Sequence, residues 1–188
     1  TAEVAVLSTG QITAMSTAQI AALTTAGIAA LTSADAAVLT SAQAATLSST
    51  QLAALSTQDM AVLSSIDVRA LSSTALAGLS TAQAHVLSAG QAAALTSSQS
   101  TVLSAAQAQA LQTEAVAALA TSAVRALATA SVAALETAQI AAMTTAAIAA
   151  MGTAQIAALG TAQLVALSSA DAAVLSSAQA STLSSAQL

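Results

Sequence analysis

His85 is the one histidine in the 188 residues. A nucleophile–base–acid set would need it beside a hydroxyl and a carboxylate. Hydroxyls carry no information here, because every eight-residue segment contains Ser or Thr. The acids Glu3, Asp35, Asp59, Asp67 and Asp171 are spread at most one per segment, whereas calcium sites gather several carboxylates in one place. Met15, Met60, Met143 and Met151 replace Leu or Ile and read as core fillers rather than ligands. Gly152 and Gly160 fall at the break between segments, and no phosphate-binding Gly pattern surrounds them. No catalytic, cofactor-binding or metal-binding residues are therefore assigned, no cofactor is expected, and an enzyme is not the expected function.

Those residues must be held by something, and composition limits what. The chain is 56% hydrophobic, 0% aromatic and 5% charged, with no Pro and no Cys. Much of the apolar share is Ala, so little large side chain is available for burial. A net charge of −5 argues against a nucleic-acid partner, which would need clustered Lys and Arg. The absence of Cys excludes disulfides and leaves the compartment open. Hydrophobicity this high does not suit a disordered segment. Ser/Thr interrupts each segment, so no run of roughly 20 apolar residues forms a membrane span.

From Leu7 onward the chain reads in octads: LSTGQITA, MSTAQIAA, LTTAGIAA, LTSADAAV and so on, without insertion or deletion. Leu or Met holds the first position, Ser/Thr dominates the second and third, and Gln or Asp the fifth. The sixth is Ile, Val, Leu or Ala. Residues 1–188 thus read as a single repeat array. A longer repeat overlies it: residues 1–52 correspond to 137–188 at an offset of about 136 residues, or 17 octads. The array is expected to be a fragment of a longer chain.

An unbroken α-helix does not explain a period of eight, since its Leu stripe would drift by about 80° per octad. Strands would put the first position on one face and the sixth on the other, and Ala is a poor strand former. A β-solenoid stays open as the alternative. The expected fold is all-α: a thin α-solenoid of very short capped helices, one per octad. Ser at the second position and Gln at the fifth form a capping box, while the first and sixth positions form a hydrophobic staple. The number of octads in one solenoid turn is not readable.

The rare charges test this frame. Glu3, Asp35, Asp59, Asp67 and Asp171 occupy the fifth position, in the first helical turn. Arg69, Arg125 and His85 occupy the seventh, toward the helix end and facing solvent. The helix dipole favours that order by about 0.3–1 kcal/mol each. Octads 111–118, 119–126 and 127–134 lack both the second-position Ser and the fifth-position Gln. Either Thr at their third position supplies the cap, or the helix runs on through 111–134.

STAQIAALTTAGIAAL (Ser16–Leu31) resembles the LTTAQIAAL-type octapeptide arrays of very large, repetitive bacterial secreted or surface proteins. The resemblance implies an extracellular or cell-surface, extended, structural role. Together with the sparse surface charge, it leads to the expectation of a rigid rod, filament or tube wall whose partners are copies of itself. Two alternatives remain: an ice- or surface-binding module built on ladders of Ser/Thr, and a passive spacer for an adhesin.

Overall fold

A computed structural model describes residues 4–187; Glu3 lies outside the described residues. It contains a 3-10 turn, Val4–Val6, and 22 α-helices of four to six residues, with no strand among the described residues. The α-solenoid expected from the octads is what forms, and the β-solenoid is not.

Helices this short cannot persist alone, because nearly all their backbone groups lack an intrahelical partner. Each is held by packing on the helix three places later: Ser65–Ala70 on Ala89–Ala93, and Ala89–Ala93 on Thr113–Ala118. Three octads therefore make one coil, and the solenoid has three faces. The first and sixth positions fill its interior; Leu63, Val68, Leu71 and Leu76 are each 3% exposed or less. Arg69, His85 and Arg125 are exposed, as their seventh position requires.

The corner between helices is two extended residues. Leu71 (φ −54°, ψ 138°) is followed by Ser72 (φ −65°, ψ 150°), both near polyproline geometry. No described residue has positive φ. Any L-residue can make such a corner, which explains how the chain turns so often without Asn and with only 6 Gly.

The octads lacking Ser and Gln follow neither expected course. Thr113–Ala118, Thr121–Ala126 and Thr129–Ala133 are separate helices. Their third-position Thr is the first helical residue, not the cap. The cap positions are Gln112, Ala120 and Ala128, none of which makes a side-chain cap hydrogen bond. Packing compensates. With Ala115 and Ala123 in place of Gln, Thr113–Ala118 and Thr121–Ala126 make the most extensive helix contacts in the chain. Small side chains at that position let two backbones approach.

Candidate functional site

The fifth position is where local and long-range structure meet. Helix capping is visible at Thr96: its N–H donates to Gln99 Oε1 at 2.8 Å, and its Oγ1 accepts from the Gln99 N–H at 3.2 Å. That is the capping box expected from sequence. The same Gln99 is only 2% exposed, and its Nε2 donates to the carbonyls of Val68 and Leu71, both at 2.8 Å. Those carbonyls belong to the preceding coil, at the end of its helix and at its corner. One side chain thus closes the N-terminus of its own helix and the C-terminus of another. Gln43, Gln51, Gln83, Gln91 and Gln155 repeat the bridge. The sequence reading found the acceptor half and missed the donor half. The available signal was the preference for amide over carboxylate, since Gln both accepts and donates whereas ionised Asp only accepts.

Asp at the fifth position keeps the box, and at Asp59 it also meets another coil. Ser56 N–H donates to Asp59 Oδ2 at 2.9 Å, while Ser33 Oγ, one coil earlier, donates to Oδ1 at 2.9 Å. Asp35, Asp59, Asp67 and Asp171 are all 5% exposed or less. Few charged side chains therefore stand out from the surface. Among the described residues, the acidic and basic side chains that are exposed are Glu114, Glu136, Arg69, Arg125 and His85.

Burial of Asp171 disfavours its charged form, but hydrogen bonding from the Ser168 Oγ and N–H outweighs it and holds the pKa below the ordinary aspartate value. A carboxyl with a lowered folded pKa adds stability above its unfolded value, and that stability is lost as pH falls through the folded one. Acidification below about pH 4 is expected to lower the melting temperature, and Asp171→Asn to reduce that dependence. Thermal melts of both chains at about pH 3 and about pH 6 measure the difference.

Ser100 is fully buried at a sixth position, and its Oγ has no hydrogen-bond partner. An unpaired buried hydroxyl costs about 1–3 kcal/mol. Ser100→Ala is therefore expected to raise stability by about 1 kcal/mol, read by urea denaturation.

His85 sits on the surface, its Nδ1 3.0 Å from the Ala110 carbonyl of the next coil. It lines a corner groove of about 610 Å³ with Gln112, Glu114 and Glu136. A second groove, of about 430 Å³, has Arg125 at the equivalent place, with Gly152 and Thr153 beyond it. Of the five acids named from sequence, the four that are described lie on separate helices, and only those of Asp35 and Asp59 stack directly on one another. Among the described residues no three His, Cys, Asp or Glu side chains form a metal-holding group. Among the same residues, no helix is long and apolar enough to cross a membrane. Met60, Met143 and Met151 are buried, as core fillers would be, and Met15 is half-buried.

Hydroxyls form one pattern that the octad alone conceals. At the fourth position, Ser or Thr occurs only at Thr50, Thr74, Ser98 and Ser122. Each is three octads from the next, and their helices stack in order. All four therefore lie on a single face, and all four are exposed.

The family model described as the ALTTAQ repeat matches residues 1–25, 60–97, 110–145 and 132–169, well over half of the chain. Neither the curated proteins nor the solved structures contain a match.

Proposed function

The chain belongs to the ALTTAQ repeat family, and from that premise we propose that it is a length of rigid extracellular scaffold, a rod or wall whose copies associate side by side. The bridging glutamines carry this reading. Where they occur they tie a coil to the one before by buried hydrogen bonds, which adds stiffness along the array. Stability then accumulates along the array through nearest-neighbour contacts, as in other solenoids. The small number of exposed charges supports lateral association, since a weakly charged apolar surface favours it. Catalysis has no part in this proposal. Electron microscopy of the purified chain should show filaments, ribbons or sheets. Dispersed monomers at high concentration would reject lateral association.

The line of Thr50, Thr74, Ser98 and Ser122 favours a second reading, a module that binds ice or another ordered surface through one hydroxyl-bearing face. Thermal hysteresis and ice-crystal shaping test it directly, with Thr74→Tyr as the disrupting variant.

A further inference from the structure

One face of the solenoid carries a charge pattern that complements itself. Ser65–Ala70, Ala89–Ala93 and Thr113–Ala118 stack in that order on this face. The first presents Ile66, 69% exposed, and Arg69 to solvent. The third presents Glu114. Between them, the middle helix offers only Ala89, Gly90 and Ala93, the smallest outward side chains available.

Arg69 and Glu114 are two coils apart, roughly 20 Å at ordinary helix spacing of about 8–10 Å, so they do not meet within one chain. A second copy turned end for end about a two-fold axis over Ala89–Ala93 changes this. Its Thr113–Ala118 helix then lies over Ser65–Ala70 of the first copy, and the reverse pairing occurs at the other end. We infer that two copies of this chain dock antiparallel through this face, with Arg69 of each paired to Glu114 of the other.

Several observations converge on that occupant. The two Arg of the chain and the two described exposed Glu are nearly all the surface charge there is, so a matched pair about a flat centre is informative. Arg69 is at the seventh position and Glu114 at the fourth, about 4.5 Å apart across the face, within reach of an arginine side chain. Ile66 would lie over the aliphatic stem of Glu114 and lose its exposure. Roughly seven stacked helices about 10 Å wide could overlap, giving roughly 1,200 Å² in total, the lower bound for a stable standard interface. Two-fold symmetry is also the commonest closed arrangement for identical chains.

This contact rests on the lateral association proposed above and specifies where it occurs. Sedimentation velocity over a concentration series tests it with the wild-type chain, Arg69→Glu, Glu114→Arg, the double variant, and Arg125→Glu as a control on another face. Circular dichroism checks that each remains helical. The expected result is a wild-type dimer, at least tenfold weaker association in each single reversal, and recovery in the double variant. Arg125→Glu should leave association unchanged. If wild type associates but the reversals do not weaken it, this face is wrong while the broader reading stands. A wild-type chain that stays monomeric throughout rejects both.

Discussion

Gln99→Leu is expected to destabilise the solenoid by about 2–4 kcal/mol, because it strips the partner from two backbone groups at once and weakens a third. The Thr96 N–H loses its acceptor and the Leu71 carbonyl its donor, while the Val68 carbonyl keeps only the Leu71 N–H at 3.3 Å. Each unsatisfied buried group costs about 1–3 kcal/mol, and the added apolar side chain offsets part of the sum. Such a loss is a large fraction of the stability an ordinary domain possesses. Gln99→Glu separates the two halves of the role. It keeps the acceptor for Thr96 while placing a carboxylate, without donors, against two carbonyls. Urea denaturation followed by helical circular dichroism measures both variants. A loss under about 1 kcal/mol for each would show that the bridge between coils contributes little.

Gly78→Ala is expected to cost about 1–3 kcal/mol by overpacking. A Cβ at this position would lie 2.7 Å from Ser49 Cβ and 2.8 Å from the Ser49 carbonyl oxygen, one coil earlier. Backbone cannot move aside as a flexible side-chain tip can, so the two coils must separate. Gly78 itself has φ −82°, a value any residue adopts, so its requirement is space rather than conformation. Gly10 supplies the opposite case. It lies inside Thr9–Ala14, and an added Cβ would meet nothing nearer than Ser8 Oγ at 4.0 Å. Gly10→Ala should therefore stabilise by about 0.5–1 kcal/mol, through helix propensity alone. Melting temperatures moving in opposite directions would separate close coil packing from a general dislike of Gly.

The local half of this architecture was legible because capping is a short-range code. Ser80 and Gln83 are three residues apart and satisfy each other without reference to the rest of the chain. The staple positions, such as Leu71 and Leu76, announce themselves in the same way. The number of octads per coil was not legible, because it depends on the angle of each corner. That angle comes from two extended residues, Leu and Ser, whose types permit many angles. Everything depending on that number was hidden too. Gln99 cannot be seen to reach Val68, nor Thr74 to share a face with Ser98, until the coil is known to hold three octads. Ala120 and Ala128 were misleading for another reason: a corner imposed by packing persists even where no side chain caps the helix.

The mismatch between an eight-residue unit and a three-octad coil has an evolutionary consequence. Repetitive genes gain and lose units by replication slippage, and most octads share the positions that folding uses. A slip of a single octad would leave the protein folded but rotate everything downstream by a third of a turn. Patterns drawn along one side would be broken at that point. Lineages that depend on an outward pattern should therefore tolerate length changes in multiples of three units, whereas lineages that need only stiffness should drift through every number.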